Sequence, residues 1–387
     1  MNRRPLLPLL IALPLALAAC GGGTPEGPEP TTDATTDSLD SASHEELVTQ
    51  AEQEGQVVVY SFTSRIASVE EAFEAAYPGI DLVASDISST EQITRITAEA
   101  QAGAGGADVA YLSDGPVVLE SLVEPGLLTA YVPDRLAATV PAEFASPMLA
   151  QRLTTKVLMY NEEAHPAGSP VANLWELTQP EWHGRVVMVD PLVRGDYLDL
   201  MTEVVLQSEA MAQAYADLTG SELVLDDGVP DAGSQWIADL YANGVVLVDD
   251  TDNVNAAVGA VGQDSPPVGI TSYSDRRDNE DEGWALQVAT GVTPANGIVF
   301  PAYVGLVADA EHPAAARLFI DFLMGDDTET GGEAYEPFYV AGDYPVRTDM
   351  TAPEGAVSLE ELGAWSLDPT ATISIRAQVA DFLLTLG

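Results

Sequence analysis

The chain has 387 residues, 46% of them hydrophobic, so it can bury the cores of two or three ordinary domains and is not a disordered polymer. Lys and Arg total 14 against 61 Asp and Glu, a formal charge of −47, which excludes a nucleic-acid binder working through a basic surface. Lys156 is the only lysine, and neither a P-loop nor a Ser-x-x-Lys nucleophile can be placed around it; the acidity itself reports salt habitat and solubility rather than fold.

Arg3 and Arg4 precede an apolar run from Leu6 to Ala19 broken by Pro8 and Pro14. A spanning helix needs about 20 apolar residues, so this run reads as an export signal over residues 1–19. It ends Leu17-Ala18-Ala19-Cys20, which resembles the bacterial lipoprotein processing site and implies lipidation of Cys20. The alternative is a soluble secreted protein cut near Ala19. Cys20 is the only cysteine, so an intrachain disulfide, a thiolate metal site and a cysteine nucleophile are all excluded. Residues 20–44 are Gly, Pro, Thr, Ser and acids with almost nothing apolar, and read as a disordered tether with a span on the order of 25–30 Å.

From Glu45 the pattern alternates short β-rich runs with amphipathic helical stretches, which predicts an α/β fold with a largely parallel sheet. Val57–Tyr60 is a strand; Ser68 with Glu71 is expected to open a helix carrying Val69, Phe73 and Ala76, stopped at Tyr77-Pro78-Gly79. Ile80–Ala84 is the next strand, Ser88 with Glu91 opens a helix through Ile96, and Asp108–Leu112 is a third strand. A second series follows. Lys156–Tyr160, Val186–Val189, Val245–Val248 and Val268–Thr271 are strands, with helices over 197–205 and 254–261, and Gly297–Val307 is a long strand able to return to the first series.

Open sheets of this kind bind ligands at the carboxyl ends of their strands, beside helix N-termini that favour anions. The expected rims are therefore Ser61–Ser64, Asp86–Thr90 and Ser113–Asp114 on one side, with Asp190–Asp196, Asp249–Asn253 and Ser272–Arg277 on the other. Each candidate has a plainer alternative. Ser88, Ser89, Asn253 and Asn255 are also cap residues, Asp114 also starts an Asp-Gly-Pro turn, and Arg194 or Arg276 also suits an ion pair with a neighbouring carboxylate.

The stretches Val57–Ser64, Phe73–Leu82, Ala107–Asp114, Thr154–Glu163 and Leu174–Pro191, in this order, resemble the extracellular solute-binding proteins of bacterial ABC importers, in particular the ferric-iron-binding group. The resemblance implies a two-lobed, periplasmic-binding-protein-like (type II) fold with a ligand cleft, two crossing strands, and docking on a membrane permease. Residues 45–155 with roughly 297–335 would form one lobe, and 156–296 with roughly 336–387 the other. Iron-binding members use a His after the first strand, a Glu after the third and two adjacent tyrosines. Here those places hold Thr63 or Ser64, Ser113 or Asp114, and Tyr273-Ser274. Tyr273 and Asp114, with Asp275 and Tyr303, are the expected ligands if ferric iron is the cargo, although one phenolate without its partner holds so hard a cation poorly.

The competing expectation is a small organic oxyanion such as a phosphonate or carboxylate. Ser64, Ser89, Thr90 and Asn255 would supply hydroxyls, amides and helix N-termini, while Arg194 and Arg276 would supply bidentate donors near Asp275. His44, His165, His183 and His312 fall outside the expected cleft loops. A secreted hydrolase using a carboxylate pair is the rival class, since Gly-x-Ser-x-Gly, zinc-helix and dinucleotide motifs do not occur. The expectation is a lipid-anchored monomeric receptor without catalysis or required cofactor, partnered by solute, permease and membrane.

Overall fold

The computed structural model describes residues 39–40 and 42–386, so the expected signal peptide, Cys20 and the tether to residue 38 lie outside the described residues. Helix α1 (His44–Glu54) begins where the Ser43 hydroxyl accepts the Glu46 N–H and the Glu46 carboxylate accepts the Ser43 N–H, a reciprocal cap of about 1 kcal/mol. Strand β1 (Gln56–Ser61), helix α2 (Ile66–Ala76), strand β2 (Asp81–Asp86), helix α3 (Ser89–Ala102) and strand β3 (Val109–Leu112) follow. The chain then crosses on strand β4 (Leu149–Asn161) to strand β5 (Val186–Val189), helices α4 (Gly195–Leu206), α5 (Ser208–Thr219) and α6 (Ala232–Ala242), and strand β6 (Val246–Val248). Helix α7 (Thr251–Gly259), strand β7 (Val268–Thr271), returning strand β8 (Gly297–Val307), helix α8 (Pro313–Leu323) and helix α9 (Pro369–Leu384) complete the main elements.

One sheet runs through the molecule in the order β2-β1-β3-β8-β4-β7-β5-β6. Pairing is parallel within β2-β1-β3 and within β7-β5-β6, and antiparallel where β8 and β4 join the two halves. All four residues of β3 and of β5 are buried, as strands covered on both faces by helices require. At Gly297, with φ 122, a side chain would run into the backbone of Lys156 and Val157, so glycine lets the crossing strands approach.

The apolar side chains collect into two cores. One gathers Val57, Phe73, Val109, Leu149, Val304 and Phe319; the other gathers Leu158, Trp175, Val187, Trp236, Ile270 and Phe300. Strands β4 and β8 carry the chain from one to the other, and the elements packed around each core are called the first and second lobes below.

Several boundaries differ from the sequence expectation. The tether stops short of 44, because Leu39 is buried in the first core and Asp40 pairs with Arg317 at 2.6 Å. Helix α2 starts before Ser68: the carbonyls of Thr63 and Ser64 accept the N–H groups of Ile66 and Ala67, so Ser68 lies inside the first turn. Helix α7 starts at Thr251 because the Asp250 carboxylate accepts the Asn253 N–H, so the loop expected at 249–253 is half helix. Strand β4 is longer than Lys156–Tyr160 at both ends, and Gln151 and Arg152, ahead of the expected start, are buried within it. Phe338 and Val346 join the first core, although 336–387 was expected in the second lobe; the strand pairing of Tyr344-Pro345 with β4 brings this stretch to the junction.

Arg152 explains much of that junction. Its guanidinium lies 4.5 Å from the Phe338 ring centroid and 5.5 Å from that of Tyr111, with its Nε 3.1 Å from the Asp343 carboxylate. Arg65 donates to the same carboxylate at 2.6 Å. Burial pulls the Arg152 pKa down to about 10 despite Asp343. Burial alone would raise Asp343, but Arg152 and Arg65 outweigh it and hold the carboxyl below its usual range.

Candidate functional site

The carboxyl ends of β2 and β3 form the first wall of a cleft between the lobes. After Asp86 the chain turns into α3, where the Ser88 hydroxyl accepts the Glu91 N–H and caps the helix. Ser89 is buried: its hydroxyl accepts the Ser113 N–H at 3.0 Å and lies 3.3 Å from the Ser113 hydroxyl, tying the two loops together. Thr90 is exposed at the first turn. With Glu91 capped by Ser88, the N–H groups of Ser89 and Thr90 open this 14-residue helix without an intrahelical acceptor, at residues that line the cleft.

The second wall comes from the ends of β5 and β6. The Asp190 carboxylate accepts the Leu192 N–H at 2.9 Å, and its carbonyl accepts the N–H groups of Val193 and Arg194, which sets the turn leading into α4. Arg194 precedes that helix, donates to the Thr251 hydroxyl at 3.1 Å, and lies 3.3 Å from Asp196. Asp196 is buried and also pairs with Lys156 at 3.0 Å; Lys156 in turn donates to the Ser272 hydroxyl at 2.8 Å. Burial would raise Asp196, but Lys156 and Arg194 prevail and lower it, while burial lowers Lys156. The lysine is thus committed inside the second lobe, and Asp196 holds Arg194 firmly charged, its pKa raised.

The walls meet at one ion-paired contact. Asp114 of the first lobe lies 3.2 Å from Arg376 of helix α9, whose Nε donates to Asp199 at 2.6 Å and whose Nη2 donates to the Gly195 carbonyl at 3.1 Å. Any side chain at Gly195 would collide with the Asp114 carboxylate, so glycine permits the approach. Burial raises the pKa of both Asp114 and Asp199, against the pull of Arg376.

Beside this contact lie two chambers. One, of about 320 Å³, is polar and lined by Asp86, Ser88, Ser89, Ser113, Asp196 and Asp249. The other, of about 220 Å³, is walled chiefly by Ile93, Val117, Pro191, Leu192 and Leu198. Thr90, Asp114, Val193, Arg194 and Gly195 line both. A wider recess of about 970 Å³ lies on the flank of the first lobe, at His44, Tyr77 and Arg135; it touches one core only, and Arg135 is already bound to Asp321 and the Gly325 carbonyl.

Of the residues singled out in sequence, Ser89, Thr90, Asp114 and Arg194 meet at the chambers. Ser64 is exposed and lines neither. Tyr273 is a core residue: its hydroxyl accepts the Val357 N–H at 3.2 Å and lies 3.5 Å from the Gly355 carbonyl. Asn255 is buried and donates to Asp275, and its amide oxygen accepts from Thr271. Asp275 also pairs with Arg277, and it is Arg277 rather than Arg276 that bonds Asp278. Arg276 lines neither chamber. Tyr303 sits in the first core. Among the described residues, no group of three or more His, Cys, Asp or Glu is placed to hold a metal ion.

Of the other lining residues, Asp86, Ser113, Val193, Asp196 and Asp249 lie within the expected rims, whereas Arg376 lies outside all of them. The strand-end acids carried a signal, Asp86 closing β2 and Asp249 following β6, whereas Asp196 lies in the first turn of α4. Arg376 carried none: it lies 262 residues from Asp114 along the chain, on a helix that belongs to no strand–helix repeat.

The family model for bacterial extracellular solute-binding proteins matches residues 58–331. No curated protein sequence matches the chain. Among solved structures, iron-bound HitA from Pseudomonas aeruginosa is similar at TM-score 0.66 and 20% identity, covering 86% of this chain and 99% of that one. AfuA from Actinobacillus pleuropneumoniae, with exogenous fructose-6-phosphate bound, gives 0.62 and 17% over 86% and 98%. The substrate-binding protein of an ABC transporter from Agrobacterium tumefaciens gives 0.63 and 18% over 85% and 94%. At such identities the likeness is one of fold.

Proposed function

This chain belongs to the family of bacterial extracellular solute-binding proteins, and on that premise we propose that its interlobe cleft captures a small organic oxyanion, a carboxylate or phosphonate, for delivery to an ABC importer. The observation that carries this is the opposition of Arg194 to the N-terminus of α3 across one chamber. A monoanionic head would take the free N–H groups and the Thr90 hydroxyl from one lobe and the guanidinium from the other. Binding both walls favours the closed arrangement by differential affinity alone, which is the signal a permease reads. Asp86 and Asp249 at the rim disfavour polyanions and suit a hydroxyl or ammonium elsewhere on the solute.

Ferric iron is the other cargo to weigh, since HitA is described as iron-bound. What speaks for the oxyanion is that the Tyr273 phenol lies in the second core, engaged by Val357, while Asp114 is paired with Arg376. Nor does the family support the hydrolase alternative, being one of binding proteins. We place the receptor outside the cytoplasm, anchored through lipidated Cys20. Among the described residues no helix is long and apolar enough to cross a membrane; what supports the anchor is the N-terminal signal ending at Cys20.

The test is native mass spectrometry of the protein as purified, followed by calorimetry with methylphosphonate and acetate, alongside a visible absorption scan after ferric citrate. An oxyanion retained by the parent and lost in Arg194→Ala supports the proposal. A tyrosinate-to-iron band, lost in Tyr273→Phe, overturns it.

A further inference from the structure

The second chamber has a composition that anion binding alone does not explain. Ile93 and Val117 come from the first lobe, and Pro191, Leu192, Val193 and Leu198 from the second, with Thr90, Thr94, Arg194 and the Asp114–Arg376 pair as the polar part of the lining. Leu192 is 43% exposed and Val193 62%, two adjacent apolar side chains at a cleft mouth in a chain of charge −47. Large exposed apolar side chains that cluster mark a contact the free surface does not satisfy. Nor is the loop loose: the Asp190 hydrogen bonds that set Arg194 also set Leu192 and Val193.

The chamber adjoins the polar one, since Thr90, Asp114, Val193, Arg194 and Gly195 line both. An anionic head held at Arg194 therefore has the apolar walls immediately beside it. About 220 Å³ equals the share of about seven water molecules, room for a chain of a few methylenes and too little for a large ring system. Enclosing such a chain removes apolar surface from both solute and protein, and it bridges the lobes at a second place.

Resting on the oxyanion reading, we infer that the solute is amphiphilic: its anionic head is joined to a short hydrocarbon segment that lies between Ile93 and Val117 on one side and Leu192 and Val193 on the other. This makes the receptor selective for short-chain alkyl carboxylates or phosphonates over inorganic oxyanions and over hydroxyl-rich sugar phosphates. The polar chamber sets charge, and the apolar chamber sets chain length.

The experiment is calorimetry of the full chain with methyl-, ethyl-, propyl- and butylphosphonate and with acetate to pentanoate. Affinity is expected to tighten by about fourfold per methylene and to level off once the chamber is filled. Leu192→Ser and Ile93→Ser, each with melting temperature checked, should cut that gain to twofold or less. If methylphosphonate or acetate binds but longer chains bind no better, the head site stands and the chain site falls, the apolar walls being a lobe-to-lobe closure contact. If no member of either series binds, the oxyanion reading falls and this inference with it.

Discussion

Arg194 is effective at the cleft because its neighbours leave it charged and only half engaged. Asp196 faces it at 3.3 Å while bonding Lys156 as well, and Thr251 takes one N–H, so further donors of the fork are available to a ligand. Losing such charge-assisted bonds costs about 1.5–3 kcal/mol, so Arg194→Ala should weaken solute binding by about 10- to 100-fold in calorimetry. Tyr273→Phe, by contrast, should cost about 1 kcal/mol in urea unfolding, since it removes the acceptor for the Val357 N–H and a long bond to the Gly355 carbonyl, and should leave affinity unchanged. Asp343 holds two guanidinium groups, of Arg65 and Arg152, at the junction of the lobes. Replacing it by Asn leaves Arg152 buried and unpaired, at a cost of about 3 kcal/mol at neutral pH. Its folded pKa is lowered, so its contribution is present above the ordinary carboxylate pKa of about 3.9 and is lost as pH falls through the folded value. The acid limb of the parent's melting profile should flatten in the variant.

At the level of elements, helix α9 acts as a strap. It packs in the second lobe but reaches the first through Arg376 and Asp114. Arg376→Ala should leave the cores intact and release the lobes, so small-angle scattering of the ligand-free variant should give a larger radius of gyration than the parent. Asp199, which holds the same guanidinium, has the opposite pH sign to Asp343. Its folded pKa is raised by burial and by Asp114, so the stability it contributes is full below the ordinary carboxylate pKa and is lost as pH rises through the folded value. Melting temperatures taken from about pH 4 upward should therefore fall less steeply in Asp199→Asn than in the parent. The N-terminus of α3 was legible before folding, because Ser88 three residues before Glu91 is a cap signal and the cap is present. The same signal at Ser68 and Glu71 misled, because the Thr63 and Ser64 carbonyls nucleate α2 a turn earlier.

At the scale of the molecule the charge of −47 dominates solution behaviour. Like charges spread over both lobes oppose compaction, and the screening length falls from about 10 Å at 0.1 M salt to about 3 Å at 1 M. Thermal unfolding should therefore move to higher temperature between those two KCl concentrations, and an unchanged or lowered midpoint would count against self-repulsion as a limit on stability. Strands β4 and β8, which face one another in register at Leu153 and Pro301, and the stretch between Val346 and Leu362 are the covalent links between the two cores.

The order of the elements was open to reading because apolar periodicity and strand-end polarity are local, and the parallel sets β2-β1-β3 and β7-β5-β6 follow from strand–helix alternation. So were the charge and the rims at 86–90, 113–114 and 190–196. What the chain's order could not carry was contact between segments far apart in it. Tyr273 and Arg276 looked like ligands from their place after a strand, yet each polar end was claimed by packing or turned away; Arg376 looked like any helix arginine, yet it closes the cleft. A side chain's chemistry is written in its own residue, but whether it is spent on a neighbour or left for a solute depends on which distant groups the tertiary structure brings within about 3 Å of it.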